Sequence, residues 1–224
     1  MTTVMSPVKT SSAPKPTRRE RARATRLRII KAAYTLFCER GYAGTTMVDI
    51  AAAAGVAVQT VYFTFHTKSD LLSRTYDFAV LGEDEPLPPE KQPWYAKMTS
   101  EPDVTKALRH LVDGVGAILA RATPLDTVVR ASAGSDPDTA RVRALHERWR
   151  AEGYRAMLEI LRPKSALRDG ISPERATHLL LLYLGMDVYR VLVHDFGWTH
   201  EDWIDWTVAT VAEQVFVPPG SPQT

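Results

Sequence analysis

The stretch from Thr46 to Phe65, TMVDIAAAAGVAVQTVYFTF, restricts the fold more than any other part of the chain. It reads as two short helices joined by a tight glycine turn. Ala51 stands on the first helix, where a larger side chain would push the second helix away. Gly55 follows where the chain must turn sharply, and positive φ is cheapest for glycine. Val61 then acts as an apolar plug from the second helix into the angle between the two, with Ile50, Ala54 and Val56 filling the rest of the inner face and Phe65 also assigned to the core. This is the packing logic of a helix-turn-helix, a unit that presents its second helix to a DNA groove.

The flanks extend the pattern. Thr46 predicts an N-cap with Asp49 at N3, a variant of the capping box, and Thr67 with Asp70 repeats that spacing. Upstream, Leu27, Ile30, Tyr34 and Phe37 form a helical stripe that Gly41 should end. The expected order is helix, helix, turn, helix, then a fourth helix from about Lys68, enough to close one small apolar centre.

Residues 25 to 72 carry AAYTLFCERGYAGTTMVDIAAAAGVAVQTVY, then Phe65, then KSDLL. In these residues the chain resembles the DNA-binding domain of the tetracycline-repressor (TetR) family of bacterial regulators. Two positions depart from the family pattern. Ala57 stands where a serine or threonine often caps the recognition helix, and Thr64 where tyrosine or histidine is frequent. The rest of the chain fits the family in length and helical character. The resemblance implies an all-α fold, with an N-terminal three-helix helix-turn-helix domain and a C-terminal helical domain for ligand binding and dimerisation.

The helix from Val58 to Phe65 is expected to read bases. Gln59 can make paired hydrogen bonds to adenine, and the Thr60 methyl or hydroxyl can meet a base edge. Tyr62 and Lys68 match family positions that touch phosphate. Thr46 can do likewise through its backbone N–H at a helix start. Phe63 has two readings of equal weight, contact with a thymine methyl or sugar and packing against the first helix.

Charge follows the same division. Residues 1 to 82 contain 12 Lys+Arg and 5 Asp+Glu; the remainder contains 16 and 21. A net charge of +2 therefore conceals a basic head and an acidic body, and a basic head attracts the phosphate backbone. Arg18, Arg19, Arg21, Arg23, Arg26 and Arg28 crowd the approach to the first helix and read as a flexible basic arm. The first seventeen residues are rich in Ser, Thr, Pro and Lys and predict a disordered tail.

The expected organisation is a tail over 1–17, the DNA-binding domain over 18–82, a Pro-rich connector over 83–102, an effector-binding and dimerisation domain over 103–217, and a tail over 218–224. In the body, Asp103 should cap a helix to about Ala122, and Pro124 should open a short one ending near Gly134. Asp136-Pro137 starts a helix to about Leu161, Ser172-Pro173 one to about Phe196, and Thr199 caps the last. The last two long helices are apolar on nearly every side, which predicts an interface with a second copy, with Gly185 permitting close helix approach. A two-fold pair implies a palindromic operator in double-stranded DNA. The resemblance further implies a small-molecule pocket in the body. Trp149, Met157, Tyr183, Met186 and Tyr189 are its candidate lining, and the ligand is expected to be apolar or aromatic.

Other classes find little support. The lone cysteine, Cys38, forbids an intrachain disulfide and reads as a packed thiol. The six histidines show no H-x-x-x-H pair, and neither a phosphate loop nor a nucleophile elbow appears, so no metal, cofactor or catalytic residue is expected. The apolar run near Leu179 is interrupted by Asp187 and Arg190, and a cytoplasmic protein is expected. The favoured reading is a repressor released by an effector. The alternatives are a DNA-organising protein indifferent to ligands, and a transcriptional activator on the same fold.

Overall fold

The computed structural model describes residues 17–82 and 89–217. The expected terminal tails, apart from Thr17, and the first part of the expected connector lie outside the described residues. Ten α-helices occur among those described. They are α1 (Arg18–Arg40), α2 (Met47–Ala54), α3 (Val58–Phe65), α4 (Lys68–Leu81), α5 (Pro93–Ser100), α6 (Val104–Ala133), α7 (Pro137–Leu161), α8 (Pro173–Tyr183), α9 (Met186–Tyr189) and α10 (His200–Val215). A π-helical turn, Arg190–Asp195, continues α9. The described residues contain one isolated antiparallel bridge, Leu167 to Phe216, and no strand.

Local signals set most boundaries. Thr46 and Asp49 complete a reciprocal capping box, and Thr199 with Asp202 completes another. Asp103, Asp136 and Ser172 each accept a backbone N–H at a helix start. Gly55 adopts φ 63°, ψ 43° and donates to Ala51 and Ala52, closing α2. The axes of α2 and α3 then meet at 111°, within the range of a helix-turn-helix. Val61, Phe65 and Ile50 are fully buried, with Ala51 beneath them, and Phe37, Ile30 and Leu71 close the same small core.

Four expectations need correction. The basic segment before the first stripe is helical, because Thr17 and Glu20 form a capping box that starts α1 at Arg18. Arg and Ala, which dominate residues 18–24, are good helix formers. Pro124 does not open a new helix; it lies inside α6. An interior proline costs about 3 kcal/mol. Ala122, Leu125 and Val129 around it are fully buried, and each large apolar side chain contributes roughly 1.5–3 kcal/mol, enough to offset that cost.

The helix expected to run from Ser172 to Phe196 breaks at Leu184-Gly185. A Cβ at Gly185 would lie 2.7 Å from the Leu181 carbonyl oxygen and 2.9 Å from that of Leu182. The glycine thus serves the chain's own turn. Finally, the expected connector contains α5, whose Trp94 ring lies against the α6 backbone at Gly114. A Cβ there would fall 2.2 Å from the indole. Met98 of α5 is fully buried.

The long α6 is the axis of the body, packed by α5, α7 and α10 and reached from the head by α1 and α4. Tyr34 of α1 donates to the Arg121 carbonyl at 2.8 Å, while the Arg121 guanidinium donates to the Ala79 and Val80 carbonyls at the end of α4. α8 and the residue that follows the π-turn carry uncovered apolar side chains, with Leu182 54% and Phe196 70% exposed. By length and composition alone, Pro173–Asp195 could cross a membrane. In the fold it is broken at Gly185, and its two parts pack on α6, α7 and α10.

Candidate functional site

Two places in the molecule carry chemistry, the outer face of α3 and a cavity in the body. On α3, Gln59 is exposed, Phe63 is 86% exposed and Tyr62 49%. Thr60 is half-buried, and its carbonyl accepts from the Thr64 hydroxyl at 2.7 Å. Val58 is half-buried against the core. The exposure of Phe63 excludes the packing role for its ring. Val48 of α2 is also apolar and exposed, a position the sequence reading did not single out. α3 begins at Ala57 without a side-chain cap. Its first N–H groups are therefore not occupied by a capping side chain.

Two expected contacts are placed differently. The Lys68 ammonium is half-buried and donates to the carbonyls of Tyr42 at 2.9 Å and Thr45 at 3.1 Å. It also lies 4.1 Å from the centroid of the Tyr42 ring. The side chain clamps the α1–α2 turn onto α4 instead of projecting outward. Thr46 is exposed, but its N–H donates to the Asp49 carboxylate at 3.0 Å. Those hydrogen bonds hold the Asp49 carboxyl below its ordinary value, so a negative charge sits at that helix start. Along α1, Arg18, Arg19, Arg21, Arg23 and Arg28 are exposed, and Arg26 lies over the Phe65 ring at 4.6 Å, which brings the basic helix to the end of α3.

The cavity measures about 790 Å³ and lies between α4, α6 and α7, with Tyr95 of α5 and Met186 of α9 also in its lining. Ligand sites span roughly 300–1,000 Å³. Its apolar wall includes Val80, Leu81, Val115, Ile118, Leu119 and Met157. Its polar end is organised by Tyr76, whose hydroxyl donates to Asp126 at 2.7 Å and lies 3.3 Å from the Met186 sulfur. Asp126 in turn accepts from Arg130 at 2.7 Å. Burial, reinforced by the Asp126 carboxylate, raises the Tyr76 phenol far above its ordinary value, so the hydroxyl stays a donor. His146 stacks on Tyr76 with ring centroids 4.0 Å apart and meets Trp149 edge-on. Burial lowers its imidazole to about 4, despite the Asp77 carboxylate 3.6 Å away.

Of the residues expected to line a pocket, Trp149, Met157 and Met186 do so. Tyr183 and Tyr189 do not. Tyr183 faces Trp206, and Tyr189 is buried against Trp203 with its hydroxyl 2.9 Å from His200 Nδ1. The break at Gly185 is the reason, since it ends the helical register that would have carried all three positions to one face. Tyr76, Asp126, His146 and Arg150 were missed. Their one legible signal was polar residues at helical spacing among apolar ones. Among the described residues, no group of three or more His, Cys, Asp or Glu could hold a metal ion.

Comparison with known proteins agrees with this geometry. Residues 29–75 match the family model described as bacterial regulatory proteins, tetR family. Over 59 residues the chain is 42% identical to the HTH-type transcriptional regulator TtgR of Pseudomonas putida, covering 26% of this chain and 28% of that protein. It is 36% identical over 61 residues to the regulator AcrR of Shigella flexneri, covering 27% and 28%. The alignments thus span little more than a quarter of these relatives' length. The fold likeness extends further. The structure of NalD, the secondary repressor of the MexAB-OprM multidrug efflux pump in Pseudomonas aeruginosa, superposes with a TM-score of 0.66 at 20% identity, covering 87% of this chain and 98% of that one. That of the transcriptional regulator FadR from Bacillus subtilis, in complex with stearoyl-CoA, gives 0.65 at 16% identity, covering 84% and 98%. Residues 29–75 thus carry a segment of the tetR-family type, with its helix-turn-helix, and the fold around it is the one these regulator structures share.

Proposed function

We propose that the chain is a transcriptional repressor that binds a palindromic operator as a homodimer and is released by a small molecule held in the body cavity. One observation carries the DNA reading. Gln59, Tyr62 and Phe63 stand exposed on the second helix of a helix-turn-helix whose flank is lined with guanidinium groups. Exposed aromatic rings on a short helix cost solubility unless something covers them, and base edges with their sugars do so. Gln59, Thr60 and Val58 form the base-facing set, Tyr62 meets a phosphate, and the exposed arginines of α1 add the salt-dependent share of affinity.

Pairing supplies the spacing. The uncovered apolar face formed by Leu182, Phe196 and the half-exposed Leu179, Tyr183 and Trp206 is the surface for a second copy. A two-fold axis through it sets two α3 helices for successive major grooves, about 34–36 Å apart. Release by ligand follows from the position of α4, which starts in the head and supplies Tyr76, Asp77, Val80 and Leu81 to the cavity wall. A ligand that fits one placement of α4 better than another shifts the population of head spacings. That NalD is a repressor and that FadR was solved with stearoyl-CoA supports both halves of the reading. Such a regulator works in the cytoplasm.

Selection of bound duplexes from a random pool tests the proposal. The expected product is an inverted repeat, bound by a dimer in sedimentation measurements. Recovery of duplexes with no shared sequence would favour a DNA-organising protein and refute the operator reading.

A further inference from the structure

We infer that the cavity selects an organic anion, a molecule with an apolar body and one carboxylate-like head, and that Arg150 is the residue that grips the head. The inference rests on the reading of the cavity as the effector site and adds the charge of the ligand and its anchor.

Among the described residues, three guanidiniums line the cavity, those of Arg130, Arg143 and Arg150. Arg130 is bound to Asp126 at 2.7 Å and to Asp187 at 3.0 Å, and Arg143 to Glu147 at 2.9 Å. Arg150 has no carboxylate within ion-pair distance and no hydrogen-bond acceptor among the described residues, and its Nε is buried without a partner. It shares the cavity lining with Tyr76 and Tyr154, and its charge opposes the upward push of burial on both phenols.

A buried N–H of a charged group without an acceptor, as at the Arg150 Nε, is costly, and a bound oxyanion removes that cost while forming a forked pair of short hydrogen bonds. The carboxylates on the wall do not supply it. Asp126 is engaged on one oxygen by Tyr76 and on the other by Arg130. Asp77 turns one oxygen to Arg74 at 3.5 Å, and its other lies 3.6 Å from the His146 imidazole. Glu90, Glu147 and Glu152 are exposed at the rim, where water solvates them. Neutral His146 adds no opposing charge inside. Arg150 is thus the guanidinium on the wall without a carboxylate partner, even though carboxylates outnumber guanidiniums on the lining as a whole. The rest of the wall is aliphatic and aromatic and suits an apolar body.

The test uses the full-length protein, the neutral fluorescent reporter N-phenyl-1-naphthylamine, and three competitors with one tail and different heads: decanoate, 1-decanol and decylammonium, all below micellar concentration. Decanoate is expected to displace the reporter at a concentration at least tenfold lower than 1-decanol. Arg150→Met should bring decanoate to the level of 1-decanol and leave 1-decanol unchanged, and Arg150→Lys should restore part of the difference. Circular dichroism confirms that each variant is folded. Tightest binding by decylammonium, lost in Asp77→Asn, would overturn the inference, as would decanoate binding indifferent to Arg150→Met. Failure of the cavity reading itself looks different. In that case the reporter would not bind the wild type, or its binding would survive Gly153→Trp, which places an indole in the cavity.

Discussion

Lys68 offers the sharpest separation between two roles that one residue can play beside DNA. A lysine at the start of α4 could neutralise a phosphate directly. The structure instead commits its ammonium to the Tyr42 and Thr45 carbonyls and to the Tyr42 ring. Lys68→Met keeps the aliphatic stem and removes the charge. A hydrogen bond to a charged group contributes about 1.5–3 kcal/mol when buried. Lys68 is half-buried, and the Tyr42 carbonyl also accepts from the Thr45 N–H, so the two bonds together are set at about 2 kcal/mol. For a chain of this size the melting temperature should fall by roughly 4–8 °C. Thermal unfolding followed by circular dichroism reads that number. Fluorescence anisotropy with a selected duplex over a salt series reads the other role, because each phosphate neutralised contributes about 0.9 to the slope of log K against log salt. The expected result is a lower melting temperature with an unchanged slope. An unchanged melting temperature with a slope shallower by about 0.9 would refute the clamp and restore the direct contact.

Gln59→Ala should cost roughly 1–3 kcal/mol on the selected operator and little on random duplex, as competition binding would show; equal loss on both would remove Gln59 from the base-reading set. His146 is neutral in the fold down to about pH 4, whereas in the unfolded chain it takes its proton near the ordinary value of 6.5. Between those values the unfolded state holds more protons, so stability is lost as pH falls through the window, by up to ~3 kcal/mol. Asp77, whose carboxyl burial raises, works in the opposite direction. The difference between wild type and His146→Phe in urea unfolding at pH 7 and pH 4 therefore isolates the imidazole, and parallel losses would exclude it. Gly114→Val would drive its side chain into the Trp94 ring and should release α5 from α6, seen as a loss of stability and increased hydrogen exchange over residues 93–100.

The head was legible because its determinants are local. Thr46, Asp49, Gly55 and Val61 lie within one short segment, and each acts on neighbours a turn or two away. The body was legible only where caps announce themselves, as at Asp103, Asp136, Ser172 and Thr199. Pro124 misled because a proline's local cost was overruled by burial that no window of sequence contains. The helix expected through Gly185 misled because a glycine is compatible with a continuous helix or a break, and the break shows only in the positions of the Leu181 and Leu182 carbonyls. The cavity assembles Tyr76, Asp126, His146 and Arg150 from three helices. The significance of Arg150 lies in the absence of a nearby acceptor, which no sequence displays.

The two ends of α4 are held by cations that reach the main chain. At its start, Lys68 is fastened to the α1–α2 turn, and at its finish the Arg121 fork caps the Ala79 and Val80 oxygens. Tyr76 and Asp77 lie between these moorings. Sideways displacement at mid-helix must either tear loose one of these attachments or swing the trihelical reader bodily about the Arg121 tether, and the second course leaves every main-chain tie in place.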